Sequence, residues 1–191
     1  VAGIFGVDLG AMLLSGMVFM LKEDENGHQS FLNYMLPGEL FGESFSLRKK
    51  KTPSHVSFLA ARNSTALFLP LGKIMRSCEH HCRFHRVMNE NLYELLAKKN
   101  AHLMQTLDIL SKDTLRDKIL SYLLLQPDEV PIPNGAQRGA DTARSVHIPL
   151  NKSELAHYLN VNRTSLCREL AAMEKDGLLT VSGNRYTLSA S

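Results

Sequence analysis

The chain has 191 residues, of which 44% are hydrophobic and 21% are charged. This length allows one large or two small domains, and the composition is that of a globular protein rather than a disordered chain. The net charge is +3, from 22 basic and 19 acidic residues, which is too small to indicate nucleic-acid binding by itself.

The longest apolar run, at residues 11–21, is interrupted by Ser15 and Gly16 and is too short to span a bilayer, so no membrane partner is expected. It also lacks the basic start of a signal peptide. The cysteines Cys78, Cys82 and Cys167 are few and odd in number, which argues against a disulfide framework. These features predict a protein of the reducing cytoplasm.

Short apolar stretches separated by turn formers occupy residues 11–14, 17–21, 30–35, 56–61 and 65–69. The charged residues 22–27 contain Asn26-Gly27, which is typical of a hairpin turn. Strands of this size and spacing predict a jelly roll or small barrel over residues 1–72.

The apolar period then becomes helical, from Ile74 through Met88 to Leu110, and predicts one long helix over residues 73–111. A long helix with a heptad-like stripe needs a partner, so a parallel homodimer is expected. The alternative is that the stripe packs on the barrel, as expected for the part before Met88. Lys99 and Thr106 lie at intervening positions and weaken the stripe. The predicted dimer contacts are Leu92, Leu96, Leu103 and Leu110.

A cluster near the start of this helix invites a metal, because Cys78, His81, Cys82 and His85 would share one helical face and suit tetrahedral zinc. Four ligands on one straight helix cannot surround an ion, however, and the same positions form the apolar stripe, where cysteine acts as a small hydrophobe. A structural role is therefore favoured, with redox sensing and metal or haem binding as alternatives. A metal-dependent barrel enzyme is the rival class. No phosphate-loop, nucleophile-elbow or zinc-protease motif is found, so catalysis is not expected.

The next predicted helix begins at Asp113 as N-cap, carries an apolar side from Leu115 to Leu124, and ends before Pro127. Residues 128–143 are polar, Pro- and Gly-rich, and predict an exposed loop. Residues 145–149 predict a short strand. The hinge between domains is expected near residues 110–113, and the last domain is predicted to span residues 112–191.

Two short helical patterns meet in residues 150–177. Asn151 with Glu154 has the form of a capping box, and Asn162 is a good N-cap for the second helix. Only residues 159–161 separate the helices, which is the length of turn found in a helix-turn-helix. Residues 178–181 and 185–188 then predict a hairpin, and a helix-turn-helix followed by a hairpin is a winged helix.

The second helix would be the recognition helix, because polar side chains lie opposite its apolar stripe. An arginine fork matches the O6 and N7 atoms of guanine in the major groove. Residues flanking this helix are better placed for phosphates. The predicted base-facing residues are Arg163, Thr164, Ser165 and Arg168, and the predicted phosphate contacts are Lys152, Asn162 and Arg185.

These residues, with the turn sequence at 36–43, resemble the cAMP receptor protein and fumarate-nitrate regulator (CRP/FNR) family of bacterial transcription regulators. The likeness runs without a gap over residues 150–168. Arg163 and Arg168 fall on the two arginines that the cAMP receptor protein directs at bases, whereas Thr164 replaces a glutamate, so the operator is not assumed. Relative to the family, an N-terminal helix and the opening strands of the barrel would be absent, which gives an N-terminally incomplete domain at residues 1–72.

The resemblance implies an α+β protein with an N-terminal cyclic-nucleotide-binding-like jelly-roll β-barrel, a long dimerisation helix and a C-terminal winged helix-turn-helix. It implies a homodimer on a double-stranded DNA operator built as an inverted repeat, with RNA polymerase as a further candidate partner. A ligand in the barrel would change how the two central helices sit and so control DNA binding. Metal binding or redox sensing through Cys78, Cys82 and His85 is the alternative role.

The resemblance also places Gly42, Glu43 and Ser44 at the start of the family's phosphate-binding cassette. There the glycine admits a close backbone approach and the glutamate takes the ribose hydroxyl. The cassette also needs an Arg-Ser pair for the cyclic phosphate, and the matching residues 56–59 read Val-Ser-Phe-Leu. We therefore expect an unknown effector rather than cAMP or cGMP.

Overall fold

A computed structural model describes residues 9–46, 56–75, 82–129 and 143–189. The chain divides into two compact units, Val1–Leu103 and Met104–Ser191. Within the described ranges, every helix is too short or too polar to cross a membrane. The division falls inside the longest described helix, and the hinge expected near residues 110–113 stays a prediction.

The described residues of the first unit include six strands, which form two antiparallel sheets of three. The sheet orders are β4-β1-β6 and β3-β2-β5. The five predicted strands are confirmed, whereas β4 lies in a turn-rich stretch and is ordered by its pairing with β1. The strands are β1 (Gly10–Ser15), β2 (Val18–Glu23), β3 (Gln29–Met35), β4 (Leu40–Phe41), β5 (Val56–Ala60) and β6 (Thr65–Leu69).

The hairpin between β2 and β3 forms as predicted, and Asp24 organises it. The Asp24 Oδ1 atom accepts the backbone N–H groups of Asn26 and His28 at 2.9 and 2.8 Å. Gly27 has a φ of 78°, which favours glycine. Apolar side chains from both sheets form one buried core, in which the ring centroids of Phe41 and Phe58 are 5.1 Å apart.

Among the described residues, α1 (Glu43–Ser46) lies between β4 and β5, and α2 (Leu71–Ile74) and α3 (Arg83–Ser111) follow β6. The predicted single helix over residues 73–111 is wrong at its start, because α2 ends at Ile74 and Cys82 precedes the first residue of α3. The Arg86 N–H donates to the Cys82 carbonyl, which makes Cys82 the entry to α3. An apolar period can continue across a break of this kind without revealing it.

The predicted dimer contact Leu92 packs inside the first unit. Leu92 is 6% exposed and packs with Leu40 and Leu71 in the first unit. Leu96 packs on the same cluster, so it is only partly available to a partner. The stripe on α3 therefore covers its own β domain as far as Leu96, beyond the limit at Met88 that the sequence suggested.

Beyond the end of α3, the described residues of the second unit form three helices and a sheet in the order β7-β9-β8, which confirms the helix-turn-helix and its wing. The first of these helices is capped by Thr114 and not by Asp113, since the Thr114 Oγ1 atom accepts the Asp117 N–H at 3.1 Å. Most of the predicted loop, residues 130–142, lies outside the described residues. The elements are α4 (Leu115–Leu125), β7 (Arg144–His147), α5 (Lys152–Tyr158), α6 (Arg163–Lys175), β8 (Leu179–Ser182) and β9 (Arg185–Leu188).

Replacing Leu92 by Ala should lower the free energy of unfolding by about 2–5 kcal/mol, because the truncation leaves a cavity in a buried cluster. Urea unfolding followed by circular dichroism measures the change. Leu32→Ala is the control, since Leu32 is 38% exposed and the loss there should be below about 1 kcal/mol. Equal losses at the two positions would contradict the burial of Leu92.

Candidate nucleic-acid interface and sensor cavity

Local hydrogen bonds fix the start of each helix in the helix-turn-helix. The Asn151 side chain accepts the N–H groups of Ser153 and Glu154 at 2.9 and 3.0 Å, and Glu154 Oε2 accepts the Asn151 N–H at 2.8 Å. This is the predicted capping box. Asn160 turns the chain with a φ of 55°, a left-handed conformation that asparagine tolerates better than most residues.

Helix α6 buries one face and exposes the other. Leu166, Leu170 and Met173 are at most 2% exposed, which fixes the rotation of the helix about its axis. Arg163, Thr164 and Arg168 are exposed and Ser165 is half-buried. The four predicted base-facing residues therefore lie on α6, and both of its predicted base-facing arginines are exposed to solvent.

The phosphate-contact candidates lie at the edges of this helix. Lys152 is exposed in the first turn of α5. The Asn162 Oδ1 atom accepts the Ser165 N–H at 2.7 Å and so caps α6. The side-chain Nδ2 group of Asn162 is the part that could donate to a phosphate.

Arg116 of α4 clamps α6, a contact that sequence reasoning missed. Its Nε atom donates to Glu169 at 2.7 Å and its guanidinium contacts Asp176 at 2.8 Å. These carboxylates raise the pKa of Arg116, Glu169 contributing most. No sequence signal links positions that are 53 residues apart.

The wing arginine is also paired. Arg185 of β9 donates to the Glu129 carboxylate, which accepts a second hydrogen bond from the Ser145 hydroxyl at 3.2 Å. Hydrogen bonding from Arg185 is the main cause that lowers the pKa of Glu129. The predicted phosphate contact therefore has a carboxylate partner within its own chain.

Helix α3 contacts the first helix of the helix-turn-helix. The hydroxyls of Thr106 and Tyr158 lie 3.1 Å apart, and both residues are buried. Burial raises the pKa of Tyr158. Thr106 was expected to weaken a dimer seam, whereas here it joins α3 to α5 in the second unit.

In the first unit, the cassette residues Gly42 and Glu43 are buried and Ser44 is exposed. Gly42 has a φ of 76°, which favours glycine at this turn. Glu43 Oε1 accepts the Lys99 ammonium at 2.7 Å, and Lys99 also donates to the Leu40 carbonyl at 3.0 Å. Among the described residues, Glu43 Oε2 has no hydrogen-bond partner. The glutamate expected to meet a ribose is thus held by a lysine from α3.

A cavity of about 160 Å³ opens beside this ion pair in the first unit. Its walls come from the segment around β3 and β4 and from α3. Lining residues include Asn33, Tyr34, Glu39, Leu95, Lys99 and His102. The cavity therefore offers mixed polar and apolar contacts beside the helix that carries Lys99.

The cysteine cluster is only partly described. Cys82 Sγ lies 3.0 Å from His85 Nδ1, whereas Cys78 and His81 lie outside the described residues. Within the described ranges, no three His, Cys, Asp or Glu residues come together as a metal site. Cys82 lies just before α3, which begins at Arg83, and its contact with His85 puts these two predicted ligands side by side, while the cluster of four stays a prediction.

The exposed apolar side chains of α3 differ from the predicted dimer contacts. Leu103 is 40% exposed as expected and Leu110 is half-buried. Tyr93 and Leu107, which sequence reasoning did not choose, are 62% and 61% exposed. The exposed apolar stripe of α3 thus passes through Tyr93, whereas the predicted stripe passes through its buried neighbour Leu92.

Two family models match the chain in succession. The model described as cyclic nucleotide-binding domain matches residues 8–81. The model described as Crp-like helix-turn-helix domain matches residues 117–189. Together they account for the β domain and for the winged helix, in the predicted order.

Individual relatives agree with these models. Transcriptional activator protein FnrL of Cereibacter sphaeroides is 21% identical over 188 residues, which cover 95% of this chain and 69% of that protein. The structure of a CooA variant from Carboxydothermus hydrogenoformans has a TM-score of 0.68 and 16% identity, covering 100% of this chain and 80% of its own. The structure of FixK2 from Bradyrhizobium japonicum has a TM-score of 0.63 and 15% identity, covering 96% and 83%.

Because Tyr186 is buried in the wing, we expect the free energy of unfolding to depend on pH. Burial raises the pKa of Tyr186 from its ordinary value near 10 to about 12. The unfolded chain should therefore ionise this phenol first, so stability should fall as the pH rises from about 10 to about 12. Urea unfolding across this range measures the fall, and Tyr186→Phe should remove part of it. An identical pH dependence in the variant would show that Tyr186 does not cause it.

Proposed function

The chain belongs to the CRP/FNR family of transcription regulators, and on that premise we propose that it binds a specific DNA operator under the control of a ligand other than cAMP. It has a sensing domain of the cyclic-nucleotide-binding type and a helix-turn-helix DNA-binding domain. The observation that carries the proposal is the pair of exposed arginines on α6, a capped helix whose opposite face is buried. Its proposed compartment is the cytoplasm, and RNA polymerase is a proposed further partner.

We assign base recognition to α6, and we assign the phosphate contacts that position it on DNA to residues beside this helix and in the wing. Arg163 and Arg168 would donate to base edges, with Thr164 and Ser165 beside them. Lys152 and the amide of Asn162 would donate to phosphates, as would Arg185 once it leaves Glu129. The Arg116 clamp supports this assignment, because it holds α6 against α4 at Glu169 and Asp176.

CRP/FNR proteins bind DNA as dimers, and we assign the dimer seam of this chain to the open stripe of α3. Counting in heptads, residues 93, 100 and 107 take one core position and residues 96, 103 and 110 take the other. Asn100 would then be a polar core residue of the type that sets register and strand number. The proposed seam is Tyr93, Leu96, Asn100, Leu103, Leu107 and Leu110.

The effector is assigned to the cavity beside Lys99. Its volume of about 160 Å³ is below the roughly 300 Å³ at which sites for drug-sized ligands begin, so a small polar ligand fits better than a nucleotide. A ligand that takes Glu43 or Lys99 as a partner would break their ion pair and free α3 from the cassette. The same helix carries Thr106, which contacts Tyr158 of α5. Ligand binding would thereby change the setting of the recognition helices over two half-sites about one helical turn apart.

Arg163→Ala or Arg168→Ala should each cost about 1–3 kcal/mol of binding to the true operator and relax preference at one base pair. The operator is first selected from a random duplex pool, in which two inverted half-sites should emerge. Lys152→Ala is the matched comparison, since it should weaken all duplexes alike and reduce the salt slope by about one. No enrichment in the pool, or wild-type affinity in Arg163→Ala, would reject the assignment of the recognition helix.

Leu103→Asp should convert the dimer to monomers, because it places a charge in the seam, and sedimentation at micromolar concentration measures the result. Leu14→Asp is the control, since Leu14 is 52% exposed on β1 and lies outside the seam. Wild-type protein that sediments as a monomer would contradict the dimer assignment. A dimer that survives Leu103→Asp would contradict the assigned seam.

Calorimetry should detect no binding of cAMP at micromolar concentrations, because the Arg-Ser pair is missing from residues 56–59 and Lys99 already pairs with Glu43. Native mass spectrometry of purified protein is the companion measurement and should identify a smaller ligand. A clear micromolar heat with cAMP would overturn the proposed ligand class.

A further inference from the structure

The cavity beside Glu43 and Lys99 restricts the class of ligand that it can take. Helix α3 lines it with residues spaced at i, i+3, i+4 and i+7, which therefore share one face of the helix. These residues are Leu95, Lys98, Lys99 and His102. The other walls come from β3 and from the segment that leads to β4. All of them lie in the first unit, so the cavity belongs to one compact part of the chain.

The ion pair at this cavity has both charges largely removed from water. Lys99 Nζ donates to Glu43 Oε1 at 2.7 Å and to the Leu40 carbonyl at 3.0 Å, and both Lys99 and Leu40 line the cavity. The side chain of Glu43 is 10% exposed and that of Lys99 is 24% exposed. The buried carboxylate is therefore one hydrogen bond away from a residue of the cavity wall.

A ligand with a single charge cannot open this pair without loss. An anion that binds Lys99 would leave the Glu43 carboxylate buried without a cation, and a cation that binds Glu43 would leave Lys99 without an anion. Removal of one partner from a buried ion pair is strongly unfavourable, because the charge that remains has lost its hydration. A ligand that carries both an ammonium and a carboxylate replaces both partners at once and leaves neither charge unpaired.

The cavity walls suit a compact ligand with a carboxylate and a short apolar side chain. Asn33 is 4% exposed and its Oδ1 atom accepts the Tyr34 N–H at 2.8 Å, so its amide nitrogen is the group that can donate to a carboxylate. Met35, Leu40 and Leu95 add apolar surface to the lining. The volume of about 160 Å³ corresponds to about five waters at roughly 30 Å³ each.

On the basis of the proposed sensing function, we infer that the cavity binds a small zwitterionic α-amino acid. Its ammonium takes the place of Lys99 at Glu43, and its carboxylate binds the ammonium of Lys99 and the amide of Asn33. The paired atoms of Glu43 and Lys99 are only 2.7 Å apart. The two charges of the ligand must therefore lie close together, as they do when one carbon separates the amine from the carboxylate.

The test is calorimetry on the full chain with glycine, L-alanine, L-serine and L-valine, after native mass spectrometry has recorded any small molecule already bound. At least one of these amino acids should bind with a dissociation constant below about 1 mM. Each is compared with the carboxylate and the amine that lack its other charged group, such as propionate and ethylamine for L-alanine. The single-charge analogues should bind at least about 100-fold more weakly. 4-Aminobutyrate, whose charges lie farther apart, should also bind more weakly.

The double variant Glu43→Gln with Lys99→Gln removes both charges without leaving either one unpaired, and it should abolish the heat of binding. Leu95→Trp keeps both charges but fills the cavity from its half-buried position on α3, so it should abolish the heat as well. This variant serves if the double variant fails to fold. Lys22→Gln is the matched control, because Lys22 is exposed on β2 outside the cavity lining. Its affinity for each amino acid should equal that of wild type.

An α-amino acid found already bound to wild type, and absent from Leu95→Trp, is the same positive result. Other outcomes overturn the inference. The absence of heat with all four amino acids would reject the ligand class when none is already bound. Equal affinity for a single-charge analogue would show that the second charge is not needed. Binding that survives in both the double variant and Leu95→Trp would place the ligand elsewhere.

Anisotropy with the selected operator separates this inference from the proposed function. An amino acid that binds the cavity but leaves the operator affinity unchanged would contradict the proposed control of DNA binding and would keep the ligand class. A protein that selects its operator but binds no amino acid would lose only the inference made here about the ligand. If the wild type selects no operator, the proposed function fails whatever the calorimetry shows.

Discussion

Helix α3 turns one face toward the rest of its own chain, and three residues seven positions apart mark that face. Leu92 packs on Leu40 and Leu71, Lys99 binds Glu43, and Thr106 meets Tyr158. A spacing of seven residues is close to two turns of an α-helix, so the three side chains lie on one face of α3. Lys99 meets the cassette within the first unit, and Thr106 meets α5 within the second unit.

Much of the fold could be predicted because its signals are local. A capping box spans the four residues from Asn151 to Glu154, and the hairpin tip is closed by hydrogen bonds between Asp24 and neighbouring residues. The register of α3 could not be predicted in this way. The stripe through Leu92 and the stripe through Tyr93 share Leu96, Leu103 and Leu110. The sequence does not show which stripe packs on the β domain; in the structure Leu92 does, against Leu40 and Leu71. Asp113 and Thr114 are likewise adjacent cap formers, and hydrogen bonding to Asp117 decides between them.

The base-facing residues of the candidate site could also be predicted, since Arg163 and Arg168 lie in a capped helix with a clear apolar stripe. The ion pairs around them could not. Lys99 and Glu43 are 56 residues apart, as are Arg185 and Glu129. Charged residues are common at surfaces, and composition does not indicate which will meet. These pairs set which charged side chains already have a partner within the chain, and local sequence patterns do not encode them.

Glu43 is the buried carboxylate in one of these pairs. A buried carboxylate loses its hydration, and one lysine offsets only part of that loss when the second oxygen lacks a donor among the described residues. A ligand that brings a hydroxyl or an amine to Glu43 Oε2 would supply the missing hydrogen bond. A ligand can shift α3 only by the difference between its affinities for the two arrangements of that helix. In the proposed function, a ligand recovers this free energy when it bonds the Glu43 carboxylate and displaces Lys99, which releases α3 from the cassette.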